Sequence, residues 1–348
     1  MAAKPRAHGL SGMTSNAIRI GILGAGGVAE ALHLPILTQM PGVEVAWLCD
    51  QYRERAVKLG REWGIRAAFD DLRSCPDVDA VLIAIPVGRR RDALSLAFER
   101  GWHAFVEKPF ATSTEEHLRI VQNAARANVV VGVGLVRRFY RSTSVARRVL
   151  SKRTFGSVVE VWAAEAARMG TTGREGSWYQ ADRAAAGGGV LMETGSHIVD
   201  QVFQAIGVES FNGLRAVFTS AGDIDLEARA VANVKLAGAD ETVPLRLVLS
   251  RMQDLYTGVV IRCEHAAIRF GVDAGSAVEV LDAEDRPLCG LQGAEGGTNL
   301  HQAFFLEWQA FLEQCRSRAN SLVDAASALL STRFIETAYA HGAGTGRP

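Results

Sequence analysis

Apolar runs and segments with helical spacing alternate along the first part of the chain. Apolar runs lie at 17–23, 43–50, 79–85, 103–106 and 129–133, and the segments between them include 53–63, 92–100 and 114–128. Strands that alternate with helices in this way form a parallel sheet with helices on both faces. The pattern therefore predicts a doubly wound α/β domain over residues 17–137.

The pattern changes beyond about residue 150. Apolar and polar residues alternate strictly from Leu226 to Ala237, which predicts a large, open, mostly antiparallel sheet with one buried face. Two amphipathic helices close the chain, and we expect the aromatic residues Phe304, Phe305 and Trp308 of the first to face the core. We assign residues 138–341 to this second, α+β domain, whose last helices can pack back on the first domain.

The second sheet has another face that helices need not cover. Alternating Val, Leu and Ala on that face would expose more apolar area than monomers usually tolerate. We therefore expect a homo-oligomer, a homodimer or homotetramer, that assembles through the C-terminal sheet.

Composition narrows the class of protein. The 348 residues have a formal net charge of zero, 48% are apolar and 22% are charged, so we expect a soluble protein without a nucleic-acid or membrane partner. The five cysteines are scattered without metal-ligand spacing, which suggests reduced thiols in the cytoplasm and no metal site. We expect a disordered leader at 1–16 and a flexible tail at 342–348.

A glycine-rich turn follows the first apolar run. Gly24, Gly26 and Ala29 form a G-x-G-x-x-A pattern that opens a helix, and the next apolar run ends at Asp50. In a dinucleotide site such glycines allow a tight turn and close approach to a pyrophosphate, and the acid accepts from a ribose 2′-hydroxyl. The alternative is a glycine turn in another kind of parallel sheet. Asp50 would repel a 2′-phosphate, so we expect NAD rather than NADP, with Arg55 as a residue that can accommodate the phosphate.

Two further motifs carry side chains suited to catalysis. Lys108 follows the fifth apolar run and precedes Pro109, at the sheet edge where ligands bind; the alternative is a surface lysine beside a turn. After three glycines at 187–189, helical spacing places Glu193, His197 and Asp200 on one face. A carboxylate and an imidazole one turn apart suit proton transfer, although a solvated face with a structural histidine would show the same spacing.

Arginine is locally abundant between residues 137 and 183, with nine arginines against four acids. Most are expected on exposed helix faces. Arg168 and Arg174 lie instead in a connection where a substrate loop is expected, which suggests an anionic substrate such as a nucleotide sugar. Trp178 and Tyr179 follow and can stack on a sugar or base, or simply pack the loop.

Together these motifs resemble the Gfo/Idh/MocA family of oxidoreductases over residues 17–341. The matching pieces are the glycine turn, Ile85-Pro86, Glu107-Lys108-Pro109, Arg138-Phe139 and Gly195-x-His197-x-x-Asp200. The resemblance implies a Rossmann domain, a second domain with an open sheet, and NAD(P)-dependent oxidation of a secondary alcohol, or reduction of the ketone, of a sugar, sugar derivative or cyclitol.

The resemblance also implies roles for individual residues. Lys108 and His197 would be catalytic, assisted by Glu193, and the Lys108-Pro109 bond would be cis. The cofactor would contact Gly24, Gly26, Gly27, Val28, Ala29, Asp50, Arg55, Ile85, Pro86, Arg90, Glu107, Lys108 and Arg138. The substrate would contact Lys108, Glu193 and His197, and the arginine-rich connection adds Arg168, Arg174, Trp178 and Tyr179 to the expected substrate contacts.

The chain departs from the family pattern at two places. Glu193 stands where the family usually has aspartate, and Val87 and Arg90 stand where it often has asparagine and histidine. Two other functions fit the same motifs. One is a relative with tightly bound NAD(H) that returns the hydride within the cycle, giving isomerase, epimerase or glycoside-cleaving chemistry. The other is a non-catalytic NAD(P)-binding sensor.

Overall fold

The computed structural model describes residues 17–168, 182–239 and 241–346. Its first sheet contains β1 (Ile18–Leu23), β2 (Val43–Cys49), β3 (Ala68–Phe69), β4 (Ala80–Ile83), β5 (His103–Glu107) and β6 (Val131–Gly134). All six strands are parallel, in the order β3-β2-β1-β4-β5-β6. The predicted doubly wound sheet is confirmed, and the strand order reverses direction between β1 and β4, which is where such sheets bind ligands.

Helices connect these strands close to where the sequence predicts them. A π-helical turn (Ala29–His33) leads into α1 (Leu34–Leu37), and the other helices are α2 (Arg53–Trp63), α3 (Arg91–Glu99) and α4 (Thr114–Arg126). Helix α4 begins at an N-cap, because the Ser113 hydroxyl accepts the Glu116 N–H at 3.1 Å. Short 3₁₀ turns follow β4 (Val87–Arg89) and β6 (Val136–Phe139).

The second sheet has nine strands and, with the helices beside it, forms the second part of the molecule. The strands are β7 (Val158–Ala166), β8 (Val208–Ala221), β9 (Ile224–Leu236), β10 (Thr242–Ser250), β11 (Gly258–Cys263), β12 (Ala267–Phe270), β13 (Val278–Leu281), β14 (Pro287–Leu291) and β15 (Ala343–Gly346). Their order is β14-β13-β12-β11-β7-β10-β9-β8-β15, and only the β7–β10 and β8–β15 pairs are parallel among the strands described. The predicted open, mostly antiparallel sheet is therefore confirmed.

The helices of the second part are α5 (Arg141–Ser151), α6 (Arg183–Ala186), α7 (Val190–Glu193), α8 (Gly195–Ile206), α9 (Leu300–Ser317) and α10 (Leu329–His341). The alternation of β9 buries its alanines in one core with α8 and α10. Helix α9 instead packs on the first sheet, where Trp308 and Phe311 share a core with Phe105 of β5. Phe305 was expected in the core, but it is 38% exposed.

Two other expectations differ from the structure. Residues Ala343–Gly346, expected in a flexible tail, form a strand beside β8. The open face of the second sheet was expected to carry Val, Leu and Ala. The leucines and alanines of β9 and β10 are instead buried on the face that the helices cover. That open face carries charged residues, half-buried Trp162, and the exposed Val217 and Val231. Across the described residues, no helix combines the length and the apolar character needed to cross a membrane.

Candidate active site

The chain leaves β1 through the glycine turn at the carboxyl edge of the first sheet. Gly24 has a φ of +104°, and a Cβ there would lie 2.5 Å from a carbonyl oxygen of the loop after β4. A Cβ on Gly26 would meet no atom within 4 Å, and Gly26, Gly27 and Val28 are exposed. Ala29 is fully buried. The turn therefore fits the predicted dinucleotide cradle, since its outer backbone is open to a pyrophosphate while its base is closed against the sheet.

Asp50 braces this turn from the end of β2. Its Oδ2 accepts the Ala25 N–H at 2.9 Å and its Oδ1 accepts the Tyr52 N–H at 2.9 Å. Each carboxylate oxygen keeps a further lone pair, so Asp50 can also accept from a ribose hydroxyl. Arg55 is exposed, with its guanidinium carbon 4.7 Å from the centroid of the Tyr52 ring.

Arg90 links the loops that follow β4 and β5. The side chain is 4% exposed, its Nε donates to the Ile85 carbonyl at 2.7 Å, and its Nη1 donates to the carbonyls of Glu107 and Pro109. Ile85 and Pro86 themselves are half-buried. The guanidinium of Arg90 is thus enclosed by main-chain carbonyls and holds the two loops together. Its contact with the cofactor stays a prediction.

Lys108 follows β5, and its bond to Pro109 is cis, as the resemblance implies. The side chain is half-buried, and its Nζ donates to the backbone carbonyl of Glu193 at 3.3 Å. Burial lowers the pKa of Lys108 to about 8, with neighbouring glutamates opposing the shift and neighbouring arginines adding to it. Lys108 therefore still carries its charge near pH 7, but it can lose the proton in mild alkali.

Three glycines lead into the segment that carries Glu193 and His197. The Asp225 carboxylate of β9 accepts the N–H groups of Gly189 at 2.7 Å and Leu191 at 2.9 Å, and it also accepts the Tyr339 hydroxyl at 2.8 Å. Asp225 thus holds the start of α7. The expected single helix is interrupted: α7 ends at Glu193 and α8 begins at Gly195.

His197 lies in the first turn of α8 and is half-buried. Its Nδ1 is buried and has no hydrogen-bond partner among the described residues. Burial, together with the positive charges of Lys108 and Arg137, holds the pKa of His197 well below its ordinary value of 6.5. The imidazole is therefore neutral near pH 7 and available as a proton acceptor.

Two consecutive arginines after β6 have different surroundings. Arg138 is 1% exposed, and its guanidinium donates to both Asp200 carboxylate oxygens at 2.7 and 2.6 Å. Asp200 therefore points into this buried pair rather than along a face with His197, and the contact of Arg138 with the cofactor stays a prediction. Arg137 donates to both carboxylate oxygens of Glu165 at 2.6 and 2.8 Å and influences the charge of Lys108 and His197.

Arg137 and Glu165 also lie near Lys108 and His197, although neither is among the site residues predicted from the sequence. A usable signal was available, because both follow the same rule that identified Lys108: they lie at or just beyond the end of a strand that reaches the site. Arg251 was also missed. It forms an ion pair with the carboxylate of Glu193, so that carboxylate is oriented by the strand end after β10.

The predicted arginine loop is only partly described. Arg168 is exposed, and its backbone N–H donates to Asp254 at 2.8 Å. Arg174, Trp178 and Tyr179 lie outside the described residues. The structure therefore assembles Lys108, Glu193 and His197 in one place but does not connect Arg168 with them.

Glu107 completes the segment, but its carboxylate faces inward. It is 7% exposed, accepts the His33 Nε2–H at 2.8 Å and accepts the Lys108 N–H at 3.0 Å. Each carboxylate oxygen therefore accepts a hydrogen bond from the protein, so the buried Glu107 side chain is satisfied without a cofactor.

Comparisons with known proteins agree with this architecture. Residues 18–135 match the model described as the Gfo/Idh/MocA oxidoreductase family, NAD-binding Rossmann fold. The scyllo-inositol 2-dehydrogenase (NAD(+)) of Bacillus subtilis is 25% identical over 317 residues, 88% of each protein. The D-glucoside 3-dehydrogenase of Escherichia coli is 26% identical over 212 residues, so the match spans 59% of each protein.

A solved structure extends the likeness over both sheets. KijD10, a 3-ketoreductase from Actinomadura kijaniata in complex with NADP and TDP-benzene, has a TM-score of 0.81 and 17% identity, covering 96% of this chain and 100% of that one. This likeness shows the shared fold. With the glycine turn, the cis Lys108-Pro109 bond and the open second sheet, residues 18–135 match the NAD-binding Rossmann domain of the Gfo/Idh/MocA oxidoreductase family, and both sheets share the fold of KijD10.

Proposed function

We propose that this protein oxidises a secondary alcohol of a sugar, sugar derivative or cyclitol, or reduces the corresponding ketone, with Lys108 and His197 as the catalytic residues. The observation that carries the proposal is that Lys108 and His197 meet in one site: Lys108 Nζ donates to the Glu193 carbonyl at 3.3 Å, and His197, in the first turn of α8, keeps a buried Nδ1 without a partner among the described residues. Oxidation of a carbinol needs both a proton acceptor and a cation near the oxygen.

The residues at the carboxyl edge of the first sheet fit the cofactor. The open backbone around Gly26 would hold the pyrophosphate, and the Asp50 carboxylate would accept from a ribose hydroxyl. The half-buried Ile85 and Pro86 would line the path toward Lys108. The chemistry that NAD(P) supplies when bound is hydride transfer.

His197 would move the hydroxyl proton. In the oxidation direction the neutral imidazole accepts the proton as the substrate oxygen becomes a carbonyl. In the reduction direction the same group returns a proton to the oxygen. Its depressed pKa favours the neutral form, so the side chain is ready as a base without prior deprotonation.

Lys108 would stabilise the negative charge that develops on the substrate oxygen. Its ammonium group is anchored by the carbonyl of Glu193 and retains two further N–H donors. A fixed donor in a half-buried site stabilises an oxyanion without having to reorganise during the reaction.

Two arginine–glutamate pairs would recognise the other hydroxyl groups. Arg137 is bound by Glu165, and Arg251 pairs with Glu193. Such pairs offer both donors and acceptors, which suits a polyol. Because each guanidinium is already bound by a glutamate, these residues favour a neutral substrate over an anionic one. The anionic-substrate hypothesis rests on Arg168 and Arg174, and the described residues add no support to it.

A substrate screen tests the proposal. Free sugars, cyclitols and keto-sugar nucleotides are compared with NAD(H) and NADP(H) by the absorbance of the reduced cofactor. We expect the highest kcat/KM with a neutral sugar or cyclitol, a class that includes the substrates named for the two curated relatives. A nucleotide sugar as the best substrate would contradict the neutral class. A cycle without net formation of free NADH or NADPH would instead favour internal hydride return.

We also propose that the open face of the second sheet pairs with a second copy of the chain. That face carries exposed Val217 and Val231, half-buried Trp162, and arginines paired with acids, as in Arg246–Glu160 at 3.1 Å. Charges of both signs allow the face to complement itself across a two-fold axis. Light scattering at micromolar concentration should give a dimer or tetramer, and Val231→Glu should lower the mass. A monomer for the unmodified chain would contradict the proposal.

A further inference from the structure

A chain of hydrogen bonds connects α9 with the backbone of Lys108. The Trp308 indole N–H donates to His33 Nδ1 at 3.0 Å, and His33 Nε2 lies 2.8 Å from Glu107 Oε1. The other Glu107 oxygen accepts the Lys108 N–H at 3.0 Å. Four side chains or backbone groups from three distant parts of the sequence thus meet in one line that ends at a catalytic residue.

The Trp308 indole N–H determines the tautomer of the His33 imidazole. An indole N–H can only donate, so His33 Nδ1 must be the acceptor, and the ring proton lies on Nε2. That proton is then directed at Glu107, which orients its carboxylate. His33 is fully buried and packed edge-on against Phe105, Phe304 and Trp308, so the ring has no room to turn.

Strand β6 has a glycine next to the Glu107 carboxylate, where a side chain would crowd the carboxylate oxygen. Gly134 of β6 pairs with Glu107, and a Cβ on Gly134 would lie 3.1 Å from Glu107 Oε1. The next carboxyl group, Glu307 of α9, is fully buried and neither of its oxygens has a partner among the described residues. Burial, together with the charge of Glu107, raises the pKa of Glu307 well above its ordinary value, so Glu307 is neutral and Glu107 carries the negative charge.

We propose that Trp308 and His33 are positioning residues of the active site: through Glu107 they hold the Lys108 backbone and keep a negative charge beside its ammonium group. The proposal rests on the catalytic role proposed for Lys108, but it concerns Trp308, His33 and Glu107.

The electrostatic setting of Lys108 makes this role measurable. Glu107 and Glu165 favour the charged ammonium, whereas burial, Arg137 and Arg90 disfavour it. Loss of an oriented Glu107 carboxylate therefore lowers the pKa of Lys108. A nearby opposite charge shifts a pKa by roughly 1 to 3 units, so Glu107→Gln should produce a shift of about 1 unit or more.

The test reads the Lys108 amine directly. Lys108 is one of five lysines, and only an unprotonated amine reacts with acetic anhydride, so the pH dependence of its acetylation, followed by mass spectrometry, reports its pKa. The full-length protein is used, with folding checked by thermal unfolding. We expect Glu107→Gln, His33→Leu and Trp308→Phe to move the Lys108 profile to lower pH, with Glu107→Gln giving the largest shift.

Two variants provide matched controls. His33→Gln keeps an amide donor that can reach Glu107, so it should restore most of the profile lost in His33→Leu. Trp102→Phe also removes a buried indole N–H, but that group has no partner among the described residues, so the Lys108 profile should stay unchanged.

An unshifted Lys108 profile in folded His33→Leu and Trp308→Phe would overturn the proposal, and so would an equal shift in Trp102→Phe. The readout needs neither substrate nor cofactor. A protein that shows the expected shifts but no turnover with any sugar or cyclitol would therefore contradict the proposed function while leaving the positioning role supported.

Discussion

The surroundings of Lys108 and His197 act on their charges in opposite ways, although both side chains are half-buried at the same site. Burial lowers the pKa of each. At Lys108 the carboxylates of Glu107 and Glu165 oppose burial, so its pKa falls only to about 8. At His197 the charges of Lys108 and Arg137 reinforce burial, so its pKa lies well below 6.5.

The difference teaches how one cluster of charges can maintain a cation and a neutral base side by side. The acidic neighbours of Lys108 favour its charged form. The positive charges of Lys108 and Arg137 disfavour protonation of His197. Arg137 lowers the pKa of both groups, and the Glu165 carboxylate that pairs with it raises the pKa of Lys108. The site therefore depends on ion pairs that do not themselves exchange protons with substrate.

Removal of either side chain proposed to be catalytic should have the largest effect. Lys108→Ala and His197→Ala should each lower kcat by roughly 100 to 10,000-fold, the usual contribution of a general acid or base, while the fold persists. Steady-state kinetics measure the effect, and thermal unfolding serves as the control. Turnover of His197→Ala within a few-fold of the unmodified enzyme would remove His197 from the proton-transfer role.

The two consecutive arginines allow a second comparison. Asp200→Asn leaves the buried Arg138 charge without its carboxylate and should lower the free energy of unfolding by about 3 to 5 kcal/mol. Glu165→Gln alters the more exposed Arg137 pair and should cost no more than about 1 kcal/mol. Denaturant unfolding measures both values. Equal losses in the free energy of unfolding would show that the two ion pairs contribute equally to stability.

The same Glu165→Gln variant should change the pH dependence of catalysis. Without this carboxylate the pKa of Lys108 falls further, so the loss of activity on the alkaline side should begin at lower pH. The pH dependence of kcat/KM measures the change, and Asp200→Asn is the control. An alkaline limb that stays in place would separate Glu165 from the charge state of Lys108.

Cofactor preference should show a smaller effect. Asp50 can accept from a free 2′-hydroxyl but repels a 2′-phosphate, so we expect kcat/KM to favour NAD(H) by about tenfold or more. Asp50→Ala should reduce that preference, although it also removes the bonds to the Ala25 and Tyr52 N–H groups. A clear advantage for NADP(H) would contradict the prediction and point to Arg55.

Local features of this protein were predictable from sequence. Five of the six strands of the first sheet and the glycine turn are recognisable because the signal lies within a few consecutive residues, as does the alternation of β9 that buries its alanines, whereas the two-residue β3 carries no such signal. Lys108 and His197 were identifiable because each lies next to a local marker: a strand end with proline, or a glycine run before a helix.

Features that depend on distant partners were not predictable in this way. Nothing near Arg138 indicates that Asp200 and the end of the chain enclose it, and His33 and Trp308 are 275 residues apart. The break between Glu193 and His197 follows from Asp225 and Tyr339 holding the preceding turn. Which face of the second sheet remains open is decided by where α8 and α10 pack.

The pH dependence of kcat/KM for oxidation of the best sugar or cyclitol tests the central proposal most directly. His197 must be neutral and Lys108 charged, so activity should remain constant as the pH falls through 6.5 and should decline as the pH rises above about 8. Loss of activity with an apparent pKa at or above 6.5 on the acid side, absent in His197 variants with residual turnover, would contradict a neutral histidine base beside a charged lysine.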